Sequence, residues 1–343
     1  MNEPLRDLLI VGAGPAGLAV AIAAKQAGLE CEILEKGALV NSIFHFPRNQ
    51  VFFTTPELLE IGNLPFVTPY EKPTRPEALR YYRRVAETFA LSVTLGEETV
   101  SVARSGACFE VATRPSRAAP QAAVAPGASR GEGPATRTRR ARHVVLACGY
   151  YDNPNRLDVP GEDLPHVAHY YSEAHAFYRQ SVVVVGGKNS AALAALDLYR
   201  SGATVTLVHR RAALSDKVKY WIRPDIENRI KEGSISARFL TRVVEIHERS
   251  VRVEGGGGCL EIAADAVFLL TGYHPDRALF EGAGVRFDGE TYVPEHDPET
   301  FETNVPGLFV AGSIVSGNRT GRIFIENGRF HGEAIVRAIR GSR

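Results

Sequence analysis

Two distant segments of this chain repeat one pattern: a short apolar run, a glycine-rich turn, a helix and a second apolar run. The first is Leu8-Leu9-Ile10-Val11, then Gly12-Ala13-Gly14-Pro15-Ala16-Gly17, a helix Leu18 to Ala27 stopped by Gly28, and Cys31-Glu32-Ile33-Leu34 ending at Glu35. The second is Val182 to Val185, then Gly186-Gly187-Lys188-Asn189-Ser190-Ala191, a helix Ala191 to Ser201 stopped by Gly202, and Thr204 to Val208. Short apolar runs bounded by turn residues read as buried parallel strands, and a glycine just past a helix reads as its C-cap. Each segment is therefore a strand–turn–helix–strand unit. Two such units so far apart in sequence predict two related domains, not a solenoid.

Bulk properties narrow the class. At 343 residues the chain is long enough for two cores, and 44% hydrophobic with 23% charged residues is ordinary for a globular protein. A net charge of +1 gives no footprint for nucleic acid or a membrane surface. No apolar run reaches about 18 residues, so no spanning helix is expected. The first strand at Leu8 leaves no room for a secretory signal in this sequence. Cys31, Cys108, Cys148 and Cys259 are scattered, with neither metal-ligand nor redox-pair spacing. They read as small hydrophobes in a reducing cytoplasm, with no metal site.

Between the two units, residues 114–142 are rich in Ala, Pro, Gly and Arg, a composition that buries too little apolar surface to offset ordering. The stretch lies between the strand-like Cys108-Phe109-Glu110-Val111 and His143-Val144-Val145-Leu146, so it reads as a long mobile hairpin insertion; a basic docking arm is the alternative. Near the end, Gly307-Leu308-Phe309-Val310-Ala311-Gly312-Ser313 runs an apolar strand into a glycine before a helix from about Ile323 to Ile339. If it returns to the first domain, that domain is discontinuous. The expected division is 1–163 and 295–343 for the first domain and 164–294 for the second.

The two turns carry different chemistry. In the first, Gly12 permits the tight turn, Gly14 the approach of a pyrophosphate and Gly17 close helix–strand packing. Pro15 and Ala16 belong to the same turn, and the pyrophosphate would lie at the N-terminus of the helix that follows, where free N–H groups and the dipole favour anions. Glu35 ends the second strand, where a carboxylate accepts from ribose hydroxyls and repels a 2′-phosphate; the site suits FAD or NAD. In the second, Lys188 replaces the middle glycine, and the strand ends in His209-Arg210-Arg211. Arginines there clamp a 2′-phosphate. One such charge-assisted contact is worth roughly 1.5–3 kcal/mol, about 10- to 150-fold in favour of NADPH. The first site therefore reads as a flavin site and the second as an NADPH site.

Several segments resemble the bacillithiol disulfide reductase, or bacilliredoxin reductase, family within the thioredoxin reductase-like flavoproteins. They are Asn41-Ser42-Ile43-Phe44 with Phe52-Phe53, Lys72-Pro73-Thr74-Arg75, Gly149-Tyr150-Tyr151, the lysine-containing second turn, Gly272-Tyr273-His274-Pro275, and Ile323-Phe324-Ile325-Glu326-Asn327-Gly328-Arg329-Phe330-His331-Gly332. The resemblance implies an α/β fold of two Rossmann-like domains, FAD held in the discontinuous first and NADPH in the second. It implies a hydride passed from nicotinamide to flavin, a second domain that rotates, and a homodimer. Asp152-Asn153-Pro154-Asn155 to Pro165, and the region near Pro294 to Pro298, are the expected crossings. Beyond the turn and Glu35, the flavin site it implies takes in Lys36, Ser42, Phe52, Gly149, Gly312, Ser313 and Ile323. The NADPH site takes in Lys219 and Gly272 besides Gly186 to Ala191 and His209 to Arg211.

The chain departs from the resembled proteins in three places. No Cys-x-x-Cys follows the second turn, which removes the dithiol relay of thioredoxin reductases. Ala16 stands where the resembled family often has a cysteine; if that thiol is essential, this chain uses another thiol or does not reduce a disulfide at all. Ser313 replaces the aspartate that many relatives use for the ribityl chain. Cys148, just before Gly149, is either a substitute redox thiol or a buried spectator. His45 and His331 are candidate proton donors near the flavin, against structural histidines as the alternative. The expected function is an NADPH-dependent FAD reductase of a low-molecular-weight thiol disulfide or of a small redox protein. The alternatives are a ferredoxin or flavodoxin–NADP reductase of the thioredoxin reductase-like type, a flavin-bound redox sensor with little turnover, and a flavin monooxygenase.

Overall fold

The structure, a computed structural model, describes residues 4–116, 136–319 and 321–341. The chain divides into two units: Met1–Phe44, Gln50–Asn153 and Tyr273–Arg343 form the first, His45–Asn49 and Pro154–Gly272 the second.

In the first unit, β1 (Leu5–Val11) runs into α1 (Pro15–Gln26), which returns as β2 (Cys31–Glu35). β1 and β2 are parallel, Leu8 opposite Cys31 and Val11 opposite Leu34. Leu8, Leu9 and Ile10 are wholly buried, as expected of a strand covered on both faces. A short α2 (Asn41–Phe44) precedes α3 (Arg75–Thr88), where Glu77 accepts from the Thr74 N–H at 2.8 Å and closes the N-terminus. β3 (Val93–Leu95) adds to β2, and β4 (Glu97–Ser105), β5 (Cys108–Pro115) and β6 (Arg137–Leu146) form an antiparallel set. β6 then lies parallel to β1, giving the order β3-β2-β1-β6-β5-β4. The strands reach further into the low-complexity stretch than its composition suggests. Thr113 pairs with Arg137, because the buried Arg139 holds Glu97 Oε2 at 2.6 Å and Thr113 Oγ1 at 2.9 Å beneath the sheet. The expected mobile insertion itself, residues 117–135, lies outside the described residues.

In the second unit, a five-stranded parallel sheet has the order β10-β9-β8-β14-β7. Its parts are β7 (Val167–Ala168), β8 (Ser181–Val185), α4 (Asn189–Arg200), β9 (Thr204–Val208), α5 (Arg223–Lys231) and β10 (Ser236–Arg238). An antiparallel sheet of β11 (Arg242–Ile246), β12 (Ser250–Gly255) and β13 (Gly258–Ala263) follows, and β14 (Ala266–Leu269) closes the parallel sheet beside β8.

The chain then returns to the first unit through α6 (Arg277–Gly282), β15 (Leu308–Val310), α7 (Ile325–Gly328) and α8 (His331–Gly341). β15 pairs parallel with β6, Leu308 opposite Val144, so the first domain is discontinuous as its third glycine signal implied. The single helix expected over Ile323 to Ile339 is two. Asn327 turns back to accept from the Phe324 N–H and donate to the Arg322 carbonyl. Arg329 bonds the carbonyls of Glu57 and Glu60, breaking the run before His331. The crossings fall at 153/154 and 272/273, earlier than the 163/164 and 294/295 read from sequence. Leu157, Val159 and Leu164 pack on the second unit's core, whereas Phe280 and Val285 are buried in the first's.

Candidate functional site

The first turn is tied down from several sides. Gly12, at φ +108°, approaches the end of β6 so closely that a Cβ would lie 2.6 Å from the Ala147 carbonyl oxygen. A Cβ on Gly17 would overlap the Gly12 carbonyl, so α1 rests directly on the turn, with Pro15 in its first turn. Gly14 differs: its Cβ would meet nothing within 4 Å. The middle glycine thus faces open space at a helix N-terminus, the place and polarity a pyrophosphate needs.

Glu35 is 6% exposed. Its Oε2 accepts from the Ala13 N–H at 2.8 Å and its Oε1 from the Gly37 N–H at 2.7 Å. Burial raises its carboxyl above the usual range, and these two donors oppose the rise. Each oxygen retains a lone pair for a ribose hydroxyl. Beside it, Lys36 Nζ lies 3.1 Å from Asp152 Oδ2; burial pulls the ammonium down, but Asp152 outweighs this and raises it. The Val40 N–H donates to the Ala13 carbonyl at 3.1 Å, bringing α2, and Ser42 within it, up to the turn. Phe52 is buried, its N–H bonded to the Pro73 carbonyl.

Three chain segments converge on this turn. Gly312, at φ +78°, would carry a Cβ only 2.8 Å from the Ala16 Cβ. A Cβ on Gly149 would lie 3.5 Å from Ser313 Oγ, and one on Gly328 would lie 3.4 Å from the Ile323 side chain and 3.5 Å from the Gly312 Cα. Gly328 belongs to a segment singled out in the sequence, whereas Ala147 joins the cluster with no local signal of it. His331 is buried, stacks on Phe301 at 4.1 Å, and accepts at Nδ1 from the Gly312 N–H at 3.2 Å. Its proton therefore sits on Nε2, and burial, with His296 nearby, pushes its pKa down to about 4. His331 is thus neutral at pH 7 and holds the Gly312–Ser313 turn. Cys148 packs against the first unit's core; burial pushes its thiol up to about 12, against the pull of Lys36. His45 is exposed, in the short segment that groups with the second unit.

The second turn is built differently. Gly186 abuts the Leu270 carbonyl oxygen and the Ala191 methyl. A Cβ on Gly187 would enter the His209 ring, which lies across it. Lys188, extended at φ −118°, is the N-cap of α4, followed by Asn189, Ser190 and the buried Ala191. The Asn189 side chain is engaged by backbone: Nδ2 donates to the Lys217 carbonyl at 3.2 Å and Oδ1 accepts from the Lys219 N–H at 2.9 Å. The Ser215 N–H also donates to the Gly187 carbonyl at 2.9 Å, lacing this loop to the turn. Burial lowers the Lys188 ammonium, and Lys217, Arg211 and Arg210 lower it further. Burial, then Arg211 and Arg210, likewise lowers His209. No carboxylate among the described residues forms an ion pair with Lys188, Arg210, Arg211 or Lys217, an arrangement that fits a phosphate. Lys219 lies 5.7 Å from the Trp221 ring centroid, and Gly272 accepts from the Asn155 N–H where the chain leaves this unit. Lys217 was missed in the sequence, where it stands in an ordinary polar run.

The model of the pyridine nucleotide-disulphide oxidoreductase family matches residues 9–127 and 135–312. The bacilliredoxin reductase Bdr of Bacillus subtilis is 41% identical over 333 residues, 96% of each chain. The solved bacillithiol disulfide reductase Bdr of Bacillus cereus superposes with a TM-score of 0.92 at 40% identity, covering 99% of this chain and all of that one. A ferredoxin–NADP reductase of Ignicoccus hospitalis is more distant, 26% identical over 98% of this chain and 99% of its own.

Proposed function

The chain belongs to the pyridine nucleotide-disulphide oxidoreductase family, and from that premise we propose that it reduces bacillithiol disulfide, or a bacilliredoxin carrying bacillithiol, with NADPH. It is an FAD- and NADPH-dependent oxidoreductase. The observation that carries the reading is the asymmetry of its two turns: a buried carboxylate stands behind one and a cluster of unpaired cations behind the other.

Bound FAD would supply an acceptor for the hydride of NADPH and a donor of the electron pair to the disulfide. The protein's part is to hold and orient. The free N–H groups of α1 face the open space at Gly14, and Glu35 offers its remaining lone pairs to ribose. Gly149 and Ser313 stand together with Gly312, and neutral His331 fixes that turn. At the second turn Arg210 and Arg211 would take the 2′-phosphate. Ala16 carries no thiol, and burial pushes the thiols of Cys148 and Cys31 up to about 12 and about 11, which favours their protonated form at pH 7. The four free cysteines suit a reducing compartment. No helix among the described residues is long and apolar enough to cross a membrane. A cytoplasmic homodimer is part of the reading.

The test mixes anaerobic, NADPH-reduced enzyme with bacillithiol disulfide, or with bacillithiolated bacilliredoxin, and follows flavin absorbance. Reoxidation many-fold faster than without acceptor is expected. Failure with both, alongside fast reoxidation by ferredoxin, would replace the reading with a one-electron reductase.

A further inference from the structure

The loop after β9 is anchored on the second turn. Residues 215–219 are held on the second turn by backbone and side-chain bonds that no packing core supplies. Ser215 donates its N–H to the Gly187 carbonyl, and its own carbonyl accepts from Arg223 Nη2 at 2.8 Å. The Lys217 N–H bonds Ser215 Oγ at 3.3 Å. Asn189, in the first turn of α4, clasps the loop on both sides of Val218, through the Lys217 carbonyl and the Lys219 N–H. Val218 is buried between them. The result sets an exposed lysine beside Lys188, Arg210 and Arg211.

These four like charges repel one another, and the one carboxylate of the loop, Asp216, faces Arg223 at 3.8 Å and pairs with none of them, so an anion among them would relieve the repulsion. His209 lies over Gly187, and burial, then Arg211 and Arg210, lowers its pKa, which places its ring beside the same cluster.

We propose that Lys217, set in place by Asn189, is a third cation of the 2′-phosphate site and a determinant of the preference for NADPH over NADH. Lys217 acts by direct contact with the phosphate. Asn189 acts through Lys217 and is a positioning residue. The proposal rests on the reading of Arg210 and Arg211 as 2′-phosphate ligands. A flexible lysine on an untethered loop would lose side-chain and backbone freedom on binding; the Asn189 clasp has already fixed the backbone part.

The experiment is calorimetric titration of the oxidised, FAD-loaded enzyme with NADP+ and with NAD+, a binding readout independent of turnover. In Lys217→Ala the Kd for NADP+ is expected to rise about tenfold while that for NAD+ changes less than twofold. Lys217→Arg should recover most of the loss. Asn189→Ala should raise the NADP+ Kd several-fold and by a larger factor than the NAD+ Kd, and adding Lys217→Ala to it should cost little more. Equal weakening of both dinucleotides, or no change in either, overturns the proposal. If the unmodified enzyme itself binds NADP+ and NAD+ equally, the 2′-phosphate reading fails first and takes this one with it. A preference for NADP+ that is undiminished in Lys217→Ala removes this inference alone.

Discussion

The two glycine turns share a backbone plan and differ in what surrounds it. β1–α1–β2 and β8–α4–β9 each place a twelve-residue helix after a glycine turn and return to a parallel strand. In the first, the helix sits so close that position 17 has no room for a methyl group; in the second, the corresponding position is Ala191, already carrying one. The first turn leaves open space at Gly14, and the second puts Lys188 there. The first strand pair ends in a buried carboxylate, the second in exposed arginines. A shared backbone plan thus carries two different sets of side chains around its turns.

The largest effect expected from this contrast is at Gly17. Its Cβ would overlap the carbonyl oxygen of Gly12, a backbone atom pinned in turn by Ala147, so nothing nearby yields cheaply. Gly17→Ala should cost more than the roughly 1–3 kcal/mol of ordinary overpacking and yield insoluble protein, or a Tm lowered by about 10 °C or more. Soluble protein melting within about 2 °C of the parent would show that the two helices sit on their turns alike.

Gly14→Leu separates folding from cofactor binding at the same turn. The new side chain enters space that no protein atom fills. The fold should survive by circular dichroism, while the purified protein emerges colourless because the pyrophosphate position is taken. Yellow protein at full occupancy would place the flavin elsewhere.

Arg210→Ala probes the other turn. Losing one charge-assisted contact should raise the KM for NADPH by about 10- to 150-fold and leave that for NADH within about twofold. Equal changes for both would remove the distinction between an NADPH site and a plain nucleotide site.

Much of this contrast is legible in the sequence. The apolar runs at Leu8 and Val182, the glycines, Glu35 and Arg210-Arg211 are local signals, and each lies where its spacing placed it. The elements that strayed depend on contacts between distant residues. Phe280 and Val285 read as part of the second domain, yet the core that buries them is the first unit's. The break before His331 arises because Arg329 finds the carbonyls of Glu57 and Glu60, some 270 residues away. Lys217 looks like any surface lysine until Asn189 is seen to hold its backbone. His331 was a candidate acid; its place as acceptor for Gly312, with a pKa near 4, makes it a poor proton donor at pH 7.

The smallest expected effect bears on what the flavin turn lacks. Cys148 stands one residue from Gly149 and carries the thiol that lies nearest in sequence to the converging turns. Burial pushes its pKa up to about 12, so the thiol rather than the thiolate prevails at pH 7. The Lys36 ammonium favours that thiolate, but burial outweighs it. Cys148→Ala should therefore change disulfide turnover less than about twofold and cost about 1 kcal/mol of stability from lost packing. A loss of 100-fold in disulfide turnover, with flavin reduction by NADPH intact, would mean that the bound cofactor or substrate reshapes this pocket enough to ionise the thiol. The first turn would then share the thiol chemistry of its relatives despite Ala16, and its difference from the second would be one of reactivity as well as of cofactor.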